Sequence, residues 1–296
     1  MKALRLFALP LLGLAILAAL VHHLLQREGG APVRAGPPVL RLWADPALRL
    51  PLESPDLEHE RGLLGRFERR TGIRARVTYG DRALWEEAPE HREETDLVLT
   101  SDARWMESIE AGGAPGDRTA FARHVPVILV HASSRAGAPG PAFLRAPERR
   151  LAAGDLHGTV LGQMTVALLT HDAYSADELR RHVAYLGHTA DDVARAVEEH
   201  RADAAIVWKD TALRHARRTV VEPWPDPTIE GPAVYALRPG DSPRGDAAAQ
   251  LVRFLAGPAA RSLLQAYGFA PADNGGLRSS PSPGMLVDDE GRRIAR

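Results

Sequence analysis

Hydrophobic and polar positions along this chain alternate between short, solid apolar runs and longer stretches with apolar residues three and four apart. The runs Val39–Ala44, Leu97–Leu99, His124–His131, Ala204–Trp208 and Pro232–Leu237 read as buried strands, and Ile73–Tyr79 as another. Between the first two, Asp45 to Leu52 is broken by Pro46 and Pro51 and reads as a loop. Ser54-Pro55-Asp56 offers a cap, a proline at the first helical position and an acid in the first turn. This predicts a helix to about Arg70 with Leu57, Leu64 and Phe67 inward, ended by Thr71-Gly72. Gly80-Asp81-Arg82 is a turn, followed by a short helix from Ala83.

The stretch Asp96 to Gly113 is the clearest unit. Its strand is followed by Ser101 as a helix N-cap, Asp102 in the first turn, Trp105, Met106 and Ile109 on one face, and Gly112-Gly113 as a stop. Further on, a Gly/Pro/Ala-rich loop runs through Pro147, and Leu156 to Met164 reads as strand or loop. Ser175-Ala176-Asp177-Glu178 is a capping box whose helix should end near Gly187. Thr189-Ala190-Asp191-Asp192 starts another, with Val193, Ala196 and Val197 inward. Arg244–Ala256 and Pro258–Tyr267 are two helices parted by Gly257. Strand and helix alternating in this way predict parallel α/β sheets, which bind ligands at the carboxyl edges of their strands. No internal repeat is visible.

The N-terminus changes the picture. Lys2 and Arg5 precede an apolar run from Leu6 to Leu25, long enough at 1.5 Å per residue to span a bilayer core. A secretory signal has a shorter apolar region and a small-residue cleavage site. Gly29-Gly30-Ala31 has suitable sizes but is followed by Pro32, so an uncleaved anchor is favoured over a cleaved signal. Either one exports the rest, because the basic residues hold the N-terminus inside. The expected organisation is an anchor at 1–28, a Gly/Pro linker at 29–38, a folded region, and a flexible Gly/Ser/Pro-rich tail at 271–296.

Composition removes several functions. Lys+Arg number 37 against Asp+Glu 38, a net charge of −1, so there is no electrostatic footprint for nucleic acid. With no cysteine there is no disulfide, thiolate metal site, thiol nucleophile or lipid-bearing cysteine. Glycine-rich phosphate and dinucleotide loops are missing, as is the GxSxG turn. His59-Glu60 opens like a zinc-protease motif, but Leu63 stands where the second histidine belongs. His182 and His188 lack metal spacing. No enzyme, no cofactor and no metal site is expected.

The element order, with DLVLTSDARWM from Asp96, AAIVWKDTA at 204–212 and FLAGPAARSLLQAYGF at 254–269, resembles the molybdate-binding periplasmic solute-binding proteins of ABC transporters. The resemblance covers roughly 39–270 and is specific in those three blocks. It implies an α/β fold of the two-lobed periplasmic-binding-protein type 2, with crossover strands at His124–Ser133 and Gly231–Arg238. Lobe one would hold 39–124 and 238–270, lobe two 125–237, with hinge closure on a ligand between them. The implied partners are a small anion such as molybdate or tungstate, a transporter permease, and the membrane through the anchor. The alternative is a membrane-tethered sensor, or a degenerate binding domain for another solute. No tyrosine pair is placed for ferric iron.

The resemblance also nominates ligand-binding residues. Family members hold a naked oxyanion with hydroxyls and with backbone amides at helix N-termini. The first hydroxyl position reads Ala44-Asp45-Pro46-Ala47 here, so Ser54 is its displaced candidate, as donor or as plain cap. The second falls at Asp81 or Arg82; Arg82 can donate bidentate bonds, whereas Asp81 repels an anion. Val193 matches a helix-start amide, and Trp208 replaces an anion-binding tyrosine, as donor or as packing. Lys209 adds a neighbouring positive charge.

Overall fold

The structure, a computed structural model, describes residues 39–54, 62–111, 118–135, 140–170, 175–239 and 242–272. The expected anchor, the linker and most of the tail lie outside these residues. Among the described residues, no helix is long and apolar enough to cross a membrane.

Two mixed sheets form the described part. The first contains β1 (Val39–Ala44), β2 (Arg74–Tyr79), β3 (Leu97–Thr100), β4 (Arg118–Arg123), β10 (Ala233–Leu237) and β11 (Ala270–Pro271), in the order β11-β4-β10-β3-β1-β2. The second contains β5 (Pro126–His131), β6 (Leu151–Gly154), β7 (Val183–Gly187), β8 (Ala204–Trp208) and β9 (Thr219–Pro223), in the order β7-β6-β8-β5-β9. Each sheet has the same plan. Three strands run parallel (β2-β1-β3 and β7-β6-β8), and an antiparallel strand joins their flank (β10 and β5).

Both faces of the central strands are covered, which is why those strands read as solid apolar runs, whereas the edge strands β2 and β7 expose one face. In β1, Leu40, Leu42 and Ala44 face a core that also takes Leu63, Phe67, Leu251 and Leu264. Trp43 points the other way, into a cluster with Trp85, Val98 and Trp105. In β5, Val127 and Leu129 join Val193 and Val197 on one face, while Ile128 and Val130 join Leu144 and Leu168 on the other.

One aspartate anchors each sheet at the residue before its third parallel strand. Asp96 accepts the Arg41 amide at 2.8 Å and Arg244 Nε at 2.8 Å, and it also accepts Ser242 Oγ. Asp203 accepts the Arg150 amide at 2.9 Å, Arg150 Nη2 at 3.1 Å and Ser134 Oγ at 2.9 Å. Each carboxylate thus ties strand to strand and draws a loop serine into the same sheet. These charge-assisted bonds hold Asp203 well below the usual carboxylate range despite its burial.

The helices depart from the sequence reading in several places. Asp45–Leu52 is not a loop. Asp45 caps a 3-10 turn, Pro46–Leu48, which runs into α1 (Arg49–Glu53). Pro46 and Pro51 both stand in first turns, where a missing N–H costs nothing, and Leu48 and Leu52 are buried. Ser54 is the C-cap of α1, its amide donating to Leu50 O at 2.9 Å. The expected helix from Ser54 falls partly on 55–61, outside the described residues; α2 spans Leu63–Thr71 and ends at Gly72 in the left-handed region, φ 74°. The following helices are α3 (Arg82–Glu87), α4 (Pro89–Arg92) and α5 (Ala103–Ala111). Ser101 is not the cap of α5. Asp102 Oδ1 accepts the Arg104 and Trp105 amides at 2.9 and 3.3 Å.

In the second sheet, the segment read as loop through Pro147 holds α6 (Pro141–Arg145). Leu156–Met164 is not a strand. The strand is β6, and α7 (Val160–Leu169) starts from a Thr159 cap. The helix capped by Ser175, α8 (Ala176–His182), stops before β7 rather than at Gly187, because Val183–Gly187 pairs in parallel with β6. The remaining helices are α9 (Ala190–Glu198), α10 (Lys209–Arg214), α11 (Gly245–Leu255) and α12 (Pro258–Ala266).

The chain passes between the sheets twice, as expected, though not within strands. The first passage is His124-Val125, between β4 and β5; the second is 224–232, between β9 and β10. The passages touch: the His124 amide donates to Pro232 O at 3.0 Å. A Cβ on Gly231 would lie 2.3 Å from His124 O, so only glycine fits without moving backbone. Gly231→Ala is therefore expected to lower the urea midpoint by the equivalent of about 1–3 kcal/mol. Gly140→Ala, with open space at the added methyl, should leave it nearly unchanged.

Candidate functional site

All six parallel strands end at one cavity of about 550 Å³. Asp45 follows β1, Gly80 to Arg82 follow β2, and Ser101 and Asp102 follow β3. From the second sheet, Asp155 follows β6, His188 to Asp191 follow β7, and Trp208, at the end of β8, leads to Thr211 and Arg214. Carboxyl edges are where strand-to-helix turns expose free amides and short polar side chains, so the two sheets face each other with their reactive edges. His124 of the first passage closes the floor between them.

The lining is rich in acid. Asp45, Asp81, Asp102, Asp155 and Asp191 meet only two guanidinium groups, Arg82 and Arg214. Most of these carboxylates serve local structure. Asp81 Oδ1 accepts the Leu84 amide at 3.0 Å and starts α3, while Asp102 starts α5. Asp45 accepts the Ala47 amide at 2.9 Å; burial pushes its carboxyl above the usual range, partly opposed by His124. Asp155 accepts the amides of His157 and Gly158, which hold it below the usual range. Burial works against ionising Asp191, but hydrogen bonds from His215 and charge from Arg214 outweigh it and hold the carboxyl low.

Arg214 Nη2 reaches both Asp191 oxygens at 3.0 Å and Thr211 Oγ1 at 3.3 Å, and Nη1 lies 3.6 Å from Asp210. Arg82 is held more loosely, by Glu86 at 3.2 Å and Asp102 at 3.9 Å. At the floor, His124 and Asp210 are both 2 % exposed, with His124 Nδ1 at 3.3 Å from Asp210 Oδ1. The His124 ring stacks on Trp208 at 4.9 Å and tilts against Phe269 at 5.2 Å. Arg104 Nη1, from α5, joins the walls directly, donating to His157 O at 3.1 Å in the turn after β6.

Of the residues nominated from sequence, Arg82 and Trp208 line the cavity on opposite walls. Ser54 and Val193 are not in the lining. Ser54 stays at the end of α1. Val193 is fully buried in the second sheet's core, and its amide donates within α9 to Thr189 O at 3.2 Å. Lys209 is exposed outside the lining, its amide donating to Val125 O at 2.8 Å. Sequence reasoning passed over Asp155, Arg214 and Trp105 as site residues. Trp105 reads as core from its helical spacing, yet it borders the cavity, and its buried indole N–H has no acceptor. The signal for Asp155 was an acid directly after a small-residue run, Ala152-Ala153-Gly154, which is too short to read as a strand.

Two facing α/β lobes joined by two chain passages, with one cavity at their carboxyl edges, define a two-lobed binding fold. A family model described as "Bacterial extracellular solute-binding protein" matches residues 61–270, and the chain belongs to that family. It is thus an extracellular binding protein, not an enzyme. A comparison with curated proteins gave no match. Among solved structures, the substrate binding domain of a putative molybdenum ABC transporter from Clostridium difficile is similar with TM-score 0.60 at 15% identity, covering 79% of this chain and 99% of that one. The sulfate-binding protein SubI from Mycobacterium tuberculosis H37Rv gives 0.62 at 15%, covering 80% and 88%. The tungstate-binding protein TupA from Desulfovibrio alaskensis G20 gives 0.60 at 16%, covering 79% and 99%. At these identities the likeness is one of fold.

The wall bearing Asp191 carries a titratable brace. His215 Nε2 lies 3.1 Å from Asp191 Oδ1 and Nδ1 lies 2.9 Å from Glu198 Oε2, so both ring nitrogens meet carboxylates. The bond to Asp191 leads in raising the His215 pKa above 6.5. A raised folded pKa contributes stability that is complete below the unfolded value and fades as pH rises through the folded one. His215→Gln should therefore cost more stability at pH 6 than at pH 9, measured as the difference in urea midpoint from the parent chain.

Proposed function

We propose that the chain captures a small acid-bearing solute outside the cytoplasm and presents it to the permease of an ABC transporter. The lobes close on the solute by bending at the two passages, and the apolar run Leu6–Leu25 tethers the chain to the membrane. The observation that carries this reading is the placement of Arg82. It stands at the carboxyl edge of the first sheet, inside the interlobe cavity, and among the described residues it has a partly exposed i,i+4 pair and a 3.9 Å contact to release. A guanidinium so placed offers a fork of donors to an oxyanion. Trp208, on the opposite wall, is the second residue retained from the sequence. The names of the structural neighbours supply the first candidates: molybdate, tungstate and sulfate.

Thermal unfolding of the full-length chain against these anions, phosphate and small organic acids tests the reading. A solute bound only by the folded state at 100 times its Kd adds about 2.7 kcal/mol, a melting shift of a few degrees. Arg82→Ala should abolish the shift yet barely change the unliganded melting temperature, because an exposed i,i+4 pair contributes about 0.3–0.5 kcal/mol. No shift with any acid-bearing solute, or an equal shift in the variant, would contradict the reading.

A further inference from the structure

We propose that the solute carries an ammonium group as well as its acid group, so that the cavity takes a zwitterion: an amino carboxylate, aminosulfonate or aminophosphonate. The acid end rests on the reading above; the cationic end is new.

A naked dianion needs free donors, and the first sheet's helix starts supply few. Asp81 and Asp102 already accept the leading amides of α3 and α5, so negative charge of the protein's own stands where a bound anion would sit. Besides the hydroxyls of Thr100 and Ser101, two nitrogen donors stand on this wall. One is the Arg82 guanidinium. The other is the Trp105 indole N–H, which is buried in a residue 1 % exposed, borders the cavity and lacks an acceptor. An acid group against this wall pairs with the Arg82 guanidinium.

The opposite wall has the reverse character. Its guanidinium, Arg214, is held by both oxygens of Asp191 and by Asp210. Asp155 makes no ion pair among the described residues; backbone amides hold it, and they keep it ionised. A solute with an acid alone leaves that carboxylate facing the cavity without a cation as the cleft closes and water leaves. An ammonium on the same solute removes this cost, and it makes closure favourable on both walls. Size agrees: a tetrahedral oxyanion has five heavy atoms, whereas about 550 Å³ has room for a longer molecule, at roughly 30 Å³ per water-sized group.

The test compares matched compounds on the full-length chain by melting temperature and by tryptophan fluorescence, since Trp105 and Trp208 border the cavity. The zwitterions are β-alanine, taurine and 2-aminoethylphosphonate. Propionate, ethanesulfonate and ethylphosphonate lack the amine, ethylamine lacks the acid, and molybdate and sulfate complete the set. At least one zwitterion should bind at least about tenfold more tightly than its amine-free partner, and Asp155→Asn should remove that tenfold preference. Asparagine keeps an oxygen for the His157 amide, so the variant should melt close to the parent chain. Equal binding of amine-free acids or inorganic oxyanions overturns the zwitterion and leaves the acid-binding reading standing. Binding of ethylamine at the strength of the zwitterions overturns both, as does silence across the whole set. A preference that survives in Asp155→Asn overturns the placement of the ammonium.

Discussion

The contact between the two chain passages sets the geometry of everything else. The His124 amide donates to Pro232 O, and Gly231 lets the two backbones meet where any Cβ would collide with His124 O. Because each passage enters its sheet as an antiparallel strand beside the parallel triple, pinning them together turns both carboxyl edges toward one space. The pin is backbone to backbone, so it does not depend on the state of any side chain. Around it, His124 packs between Trp208 of one lobe and Phe269 of the other, and Gly268 brings the start of α10 against the end of α12. The contact at His124 and Gly231 is therefore packed and buried, while most of the second passage before it is exposed.

From that geometry follows the chemistry of the cleft. Each parallel strand delivers a turn and most deliver a helix start; in the first sheet Asp45, Asp81 and Asp102 fill those starts, whereas Thr159 and Thr189 cap the helices after β6 and β7. Aspartate is a good cap, so each helix gains stability of its own. The consequence is a first wall whose helix starts are already supplied with negative charge. Arg82 lines one wall of that cleft and Asp155 the other.

Much of the fold was legible because buried strands and capped helices announce themselves locally. DLVLTSDARWM gave a strand, a turn and a helix, and the structure moves only the cap, from Ser101 to Asp102. The capping box at Ser175 and the helix start at Thr189 were read correctly, and Thr189 too forms a capping box, with Asp192. What escaped depended on partners far along the chain. Leu151–Gly154 is a strand only because it lies between β7 and β8, and its small residues give no pattern of their own. Pro46 and Pro51 looked like breaks, whereas each stands in a first turn. The site was legible in part. Arg82 and Trp208 border the cavity because they follow strands the sequence showed. Ser54 was placed by distance along the chain and Val193 by its match to a helix start, and folding leaves one at a helix end and the other in the core.

The central claim, that solute is held between the lobes and closes them, is tested most directly by measuring the distance between them. The chain has no cysteine, so Glu107→Cys on α5 and Arg195→Cys on α9, both exposed, give one spin label per lobe. Pulsed dipolar spectroscopy should show a distance distribution that shortens and narrows when a binding solute is added, with the change lost in Arg82→Ala. A solute that binds tightly while the distribution stays unchanged would contradict the account.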